Sequence, residues 1–333
     1  MKTPVKTIVP LTLVACAVLA FSGLGYSQTG GPSMGNLQPR AAEIAPLAVK
    51  NLLLGITKAG EQLVAVGDRG TILLSTDGEK WEQVAVPVNA TLTAVSFADA
   101  QNGWVVGHDS TILHTTDSGR SWKLQNFDPK HSKPLLGVLA LDTKRAYAVG
   151  AYGTFLETSD AGATWSAVVA PAILEEGLHL NALIRLNSGD LFLVGETGFL
   201  GVQEGGQTWR RLKLPYDGSL FGGLPRGDRG ALVFGLRGNA FVTADVRSNQ
   251  WTRVDTGTLQ SLFAATALPD GVSLLVGADG ALLKVGTDNK VRSLAASENK
   301  TQTAASYAAV LPWKNQLLVI SELGVGHVAN PAK

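Results

Sequence analysis

Five carboxylates stand at matching places in the sequence. Asp68, Asp109, Glu196, Asp279 and Glu322 each lie within two residues of a glycine, or of a serine in the last case, that ends a short apolar run. Two carboxyl groups held across a cleft could hydrolyse a glycoside, one as acid and the other as base or nucleophile. Tyr152 occupies the same place in a further copy. A tyrosine nucleophile would need a glutamate partner and an arginine cluster, and no arginine triad can be picked out around it. His108 beside Asp109 is the best candidate metal ligand. His114, His131, His179 and His327 are scattered over other segments, so no spaced histidine cluster accompanies it. The single cysteine, Cys16, lies close to the N-terminus, which leaves the rest of the chain without thiolate chemistry. Glycines occur in strand-turn-strand settings, not ahead of a helix, so there is no phosphate-cradling loop. The expectation is no catalytic residue, no metal and no cofactor.

Those carboxylates belong to a repeat. Val66-Gly67-Asp68-Arg69-Gly70 returns at Val149–Gly153, Val194–Gly198, Phe234–Gly238 and Val276–Gly280. Imperfect copies stand at Val106–Ser110 and Ile320–Gly324. The first-glycine positions are 67, 107, 150, 195, 235, 277 and 321, spaced by 40 to 45 residues. Seven units of that length match the four-stranded blades of a β-propeller. Each unit reads as short strands; in the second these are 91–97, 103–107 and 111–115, with a fourth starting at Trp122. The sequence therefore predicts an all-β, seven-bladed propeller. The last unit has room for three strands only. The apolar segment Ala42–Lys50 is expected to supply its fourth and so close the ring.

A second phrase, Ser/Thr-x-Asp-x-Gly-x-x-Trp, joins the third strand of a unit to the fourth. It is complete at Thr115–Trp122 (Asp117, Gly119, Trp122) and Thr158–Trp165 (Asp160, Gly162, Trp165). It is one residue short at Ser75–Trp81 (Asp77, Trp81). The fourth unit keeps Gly206 and Trp209, with Glu204 in place of Asp, and the fifth keeps Thr243, Asp245 and Trp251. Its physics is that of a hairpin: the carboxylate accepts backbone N–H groups, glycine takes a positive φ, and the indole packs over the turn. These Asp residues are expected to be structural. Sialidases carry such boxes away from their chemistry, so the phrase is no evidence for hydrolysis.

Composition agrees with many short strands. Of 333 residues 38 are Gly, and Trp (7) outnumbers Tyr (5). A formal net charge of +1 gives no support to nucleic-acid binding. Residues 1–27 read as an export signal: Lys2 and Lys6, an apolar stretch from Ile8, then a small-residue site at 25–27. The expected location is the periplasm. The alternative is a lipid anchor at Cys16, because Leu13-Val14-Ala15-Cys16 resembles a lipoprotein box. Residues 28–41 then form a flexible leader, and 42–333 the propeller.

Taken together, VGxxG and the Asp-box phrase at blade spacing resemble the photosystem II stability/assembly factor family and its bacterial BNR-repeat relatives, over about residues 48 to 330. The resemblance implies a non-enzymatic assembly factor with a protein partner in a membrane complex; some bacterial relatives look like partners of RND-type exporters. It also implies an arginine patch, of which only Arg69 and Arg237 stand in comparable loop positions. The binding surface expected from the residues is the set of variable pairs gathered at one mouth of the central channel. It comprises Asp68, Arg69, His108, Asp109, Tyr152, Glu196, Arg237, Asp279 and Glu322, on a monomer. A glycan-directed sialidase-like hydrolase or lectin is the alternative.

Overall fold

The computed structural model describes residues 38–206, 208–294 and 305–329. The expected signal segment, Cys16 and the leader up to residue 37 lie outside them. From Gln38 onward the chain forms one compact unit. It is a seven-bladed β-propeller: among the described residues, six four-stranded antiparallel sheets and a seventh of three strands, each built in chain order.

The innermost strands are Leu53–Ala59, Leu92–Phe97, Leu135–Ala140, Leu180–Arg185, Leu220–Arg226, Leu262–Ala267 and Tyr307–Trp313. Each lies against the next, and the last lies against the first. Second strands such as Gly103–Gly107, Leu191–Gly195 and Ser273–Gly277 are buried along their whole length. A blade packs on a neighbour at both faces, so these strands read as continuous apolar runs and not as alternation. The outer strands are short and polar, as at Glu82–Gln83 and Lys123–Asn126, which suits exposed sheet edges.

The first glycine of each repeat has a steric cause. Gly67 has extended backbone (φ −173°), but a Cβ there would collide with the Leu52 carbonyl oxygen. Equivalent carbonyls, from Thr91, Pro134, His179, Ser219 and Ser261, crowd Gly107, Gly150, Gly195, Gly235 and Gly277. The repeat thus records a close approach between the second strand and the linker entering the same blade.

Closure differs from the sequence expectation. Among the described residues, Ala42–Lys50 adds no strand to the seventh sheet. Pro46 has no N–H for a ladder, and Ala48–Lys50 coils into a single 3-10 turn. The Ala42 N–H donates to the Val86 carbonyl at 3.0 Å and the Ala45 N–H to Gln83 Oε1 at 2.7 Å. The segment is therefore tied to the outer edge of blade 1, while Ala48 is buried with Leu53 and Ile320 where blades 1 and 7 meet. Among the described residues, side-chain contacts and not a shared sheet join the first blade to the last.

Candidate functional site

Each VGxxG turn connects the second strand of a blade to the third, and in blades 1 to 4 it is pinned by two linkers. In blade 1 the Asp68 N–H donates to the Leu52 carbonyl (2.9 Å), and the Gly70 N–H to the Ala90 carbonyl in the linker to blade 2 (2.9 Å). His108, Ala151, Glu196, Leu236 and Ala278 repeat the first bond with Thr91, Pro134, His179, Ser219 and Ser261. The turns of blades 1 to 6 and the blade-to-blade linkers therefore share one face of the disc. The second variable residue is held left-handed: φ is 54° at Arg69, 56° at Asp109, 57° at Tyr152, 53° at Thr197, 55° at Arg237 and 52° at Asp279. Such non-glycine residues are uncommon. Here the pinned backbone on either side dictates the conformation.

Several of the face's carboxylates are engaged locally. Asp68 Oδ1 accepts the Arg69 N–H at 2.7 Å and the Thr91 hydroxyl at 3.2 Å. Glu196 Oε1 accepts the His179 N–H at 2.7 Å, and both Glu322 oxygens accept the Ser306 N–H at 3.0 Å. The Asp279 N–H donates to Ser306 Oγ, and the Arg237 N–H to Ser261 Oγ. Arg69 is 84% exposed and lies 3.6 Å from its neighbour Asp68. Tyr152, 62% exposed, meets His179 edge-on at 5.0 Å between ring centres.

The turn pairs sit one strand outward from the axis. The channel wall at this face is made by residues that the repeat phrases do not include. All seven innermost strands carry a register shift near their start, which leaves one unpaired residue: Leu54, Thr93, Leu136, Asn181, Phe221, Phe263 and Ala308. A bulge of this kind re-aims a side chain. None of the seven is buried and none is charged. Thr93 and Asn181 bridge to the next blade, donating to the Leu135 and Leu220 carbonyls at 2.7 Å each. Phe221 and Phe263 pack at 5.6 Å. Leu54, Thr93, Phe263 and Ala308, with Leu52, Ser306 and Glu322, line an open apolar cavity of about 400 Å³ shared by blades 6, 7, 1 and 2. The sequence signal for this ring is positional: each bulge residue lies 13 or 14 residues ahead of the first-glycine position.

The same face keeps large apolar groups in solvent: Leu236 and Leu323 in turns, Leu259 in a linker. A larger groove of about 910 Å³ lies on the opposite face, between blades 5 and 6, lined by Arg226, Thr243, Asp245 and Asn289 among others. It opens where the sixth blade lacks an Asp-box.

The Asp-box turns lie on that opposite face. Asp77 Oδ1 accepts the Glu79 and Lys80 N–H groups at 2.8 Å each. Those bonds hold its carboxyl at about 2, below the usual carboxylate range. Asp160 is likewise at about 2, chiefly through the Thr164 N–H. Burial pushes the Asp117 carboxyl up, but the Ser121 hydroxyl and N–H outweigh it and the net shift is downward. Each indole packs on the preceding blade: Trp122 beside Val64 and Ile72, Trp165 beside Trp104, Trp209 at 5.3 Å from Phe155, Trp251 at 6.1 Å from Phe192. Trp81 and Trp122 donate to the Gly78 and Gly119 carbonyls, whereas Trp165 donates to Gln125 of blade 2. In blade 4, Gly206 has φ 72° and no neighbour that a Cβ would meet. Glu204 there pairs with Arg210 at 2.8 Å.

The histidines do not converge. His114 stacks on Trp104 at 4.5 Å, and burial lowers its pKa. His131 pairs with Asp128, and His327 lies 3.8 Å from Glu79. Among the described residues no three His, Cys, Asp or Glu side chains are grouped to hold a metal ion.

Solved structures share the architecture. A YCF48 solved with a D1 peptide bound aligns over 88% of this chain and 99% of its own (TM-score 0.66, 21% identity). A virginiamycin B lyase from Staphylococcus aureus aligns over 87% of this chain and 98% of its own (TM-score 0.72, 12% identity). At such identities the likeness speaks for the fold alone. In sequence, the photosystem II assembly protein Ycf48 of Thermosynechococcus vestitus is 36% identical over 56 residues, 17% of this chain and 16% of that protein. The photosystem II assembly lipoprotein Ycf48 of a Picosynechococcus strain is 28% identical over 90 residues, 27% and 22% of the two chains. These alignments thus span less than a quarter of the relatives' own lengths. The family model for the photosynthesis system II assembly factor YCF48 matches residues 66–318, most of the ring, and the chain belongs to that family.

Proposed function

We propose that this protein is a non-enzymatic, exported binding factor that serves the assembly or upkeep of a membrane protein complex. Its binding surface is the face carrying the VGxxG turns. The observation that carries this reading is the state of that face. Three of the carboxylates that a hydrolase would need free are engaged: Glu196 and Glu322 accept linker N–H groups, and Asp68 accepts the Arg69 N–H of its own turn and the Thr91 hydroxyl of a linker. Tyr152, Leu236, Leu259 and Leu323 are exposed on the same face as the apolar pocket. Mixed polar and aromatic character about an apolar centre suits a protein contact. The family match and the relative solved with a D1 peptide support a polypeptide ligand. The partner class is a membrane complex, with an RND-type exporter as one form of it, and the factor acts as a monomer. Export fits residues 1–27, and the relative named a lipoprotein supports attachment through Cys16.

A photo-crosslinking amino acid at position 152 or 236, compared with positions 61 and 270 in the hairpins of the opposite face, tests the assignment in membranes of the native host. Adducts with a membrane protein are expected from 152 and 236 only. Adducts confined to 61 and 270 would move the binding surface to the other face.

A further inference from the structure

We infer that the 400 Å³ cavity of the channel mouth is an anchor pocket for a partner segment that carries a large apolar side chain flanked by lysines or arginines. This deepens the reading of the VGxxG face as a protein-binding surface and rests on it. The first observation is the bulge ring. Seven strands place an uncharged, unpaired residue at the same level. Four of these, Leu54, Thr93, Phe263 and Ala308, converge on one cavity whose wall is almost wholly apolar. Thr93 spends its hydroxyl on backbone carbonyls, so it presents little polarity to the space. Phe263 and Leu52 remain more than a third exposed. A volume of this size accommodates a Phe or Leu side chain with adjoining backbone.

The second observation is charge. Among the described residues, the four blades that line the cavity carry Asp279, Glu322, Asp68 and Asp109 in their turns, against two cations, Arg69 and Lys50, the latter beside Gly324 where the chain enters blade 1. Arg69 is already beside Asp68. Arg237, the other arginine of the turns, belongs to blade 5, which contributes nothing to the cavity wall. The rim is therefore net acidic, and a polypeptide seated in the pocket gains by bringing cations to it. An acidic tail would meet like charge.

Three synthetic peptides test this on the full-length exported protein by fluorescence anisotropy. One has a central Phe-Leu pair with lysine flanks, one has Ala-Ala with the same flanks, and one has Phe-Leu with aspartate flanks. The first should bind at least about tenfold more tightly than either of the others, as expected when an anchor and its charge context both count. Phe263→Ala should weaken it about tenfold, and so should Glu322→Gln, whose amide oxygen can still accept the Ser306 N–H and so keep the fold. Thermal melts report folding in each case. Equal binding of the alanine-centred peptide, equal or tighter binding of the aspartate-flanked one, indifference to both variants, or no binding of any peptide to folded protein each overturns the inference. Crosslinks from positions 152 or 236 alongside any of these results would leave the wider assignment of the face standing. Crosslinks only from 61 and 270 would remove that assignment.

Discussion

The indole N–H of Trp313 donates to the main-chain carbonyl of Asp77 at 3.0 Å, across 236 residues of sequence. Asp77 is in the Asp-box of blade 1, and Trp313 ends the innermost strand of blade 7. The same indole meets Gly78, where a Cβ would come within 2.9 Å of its ring. Trp81, Leu63 and Leu318 complete the cluster. Every other Asp-box tryptophan packs on the blade before it, and this cluster is the corresponding joint between the first blade and the last. It is where the ring would open.

Replacing Trp313 should accordingly be costly in proportion to what is removed. Trp313→Phe keeps most of the buried ring and loses the bond to Asp77, for about 1 kcal/mol. Trp313→Ala leaves a cavity at the joint and should cost about 3 to 5 kcal/mol. Deleting 42–50 should also destabilise, through the lost Ala42 and Ala45 bonds and the exposure of Ala48, whereas deleting 28–37 should be silent. Urea unfolding of the four variants checks the order. A Trp313→Ala protein as stable as the parent would mean that the ring closes elsewhere.

The Asp-boxes make stability depend on acid pH. Asp77 and Asp160 sit at about 2 in the folded chain against an ordinary 3.8. A carboxyl depressed by folding stabilises above its unfolded value and loses that contribution as pH falls through the folded one. The melting temperature should therefore be flat above about pH 5 and fall between about pH 4 and pH 2. Asp77→Asn with Asp160→Asn should melt lower at pH 7 and show a shallower fall in that window. An unchanged slope would show that these carboxylates do not couple to folding.

Where the fourth blade departs from the Asp-box, a half-buried ion pair joins blades 4 and 5. Asp190 is 5% exposed, and its Oδ2 accepts Arg247 Nη2 at 2.5 Å while its Oδ1 accepts the Gly205 N–H at 3.1 Å. Arg247→Met leaves that carboxylate without its cation, held only by the Gly205 N–H and the Ser188 hydroxyl, and should cost about 1 to 3 kcal/mol. Asp190→Asn in the same chain should recover part of the loss, since a neutral amide no longer needs the cation. The four-protein cycle by urea denaturation reads the coupling. Additive losses would mean that the two residues act independently.

These particulars show why some of the protein is legible in sequence and some is not. Gly67 and Gly107 recur because backbone carbonyls leave no room for a Cβ, and a steric requirement of that kind writes itself as a fixed residue. Asp117 and Trp122 recur because one turn needs both a carboxylate acceptor and an indole lid. The bulge ring demands a backbone irregularity, not a residue type, so Leu54, Thr93, Asn181 and Phe263 satisfy it equally and leave no phrase. Trp313 looks like an isolated aromatic because its partner is at the other end of the chain. The segment 42–50 is apolar enough for a strand, but Pro46 and the neighbouring side chain of Gln83 give it a different course.

Arg69 and Arg237 separate two modes of recognition by the sign of their effect. Both stand at left-handed positions of corresponding turns with φ of 54° and 55°, so their side chains are not needed for the turn, whose shape is set by flanking backbone bonds. The double change to Ala should leave folding within about 0.5 kcal/mol, as at exposed sites generally. An arginine-patch mode, in which guanidinium groups clasp carboxylates of the partner, predicts that the double variant loses affinity about tenfold or more. The acidic rim around the apolar cavity predicts the reverse for a lysine-flanked ligand. Removing Arg69 frees Asp68 and deepens the negative potential beside the pocket, so the Phe-Leu peptide should bind more tightly, by about twofold to fivefold at low salt. The gain should shrink as salt is raised, because exposed charges are screened over about 10 Å at 0.1 M. Anisotropy titrations at two salt concentrations distinguish the modes. Weaker binding of the lysine-flanked peptide by the double variant would assign recognition to the arginines and not to the acidic mouth.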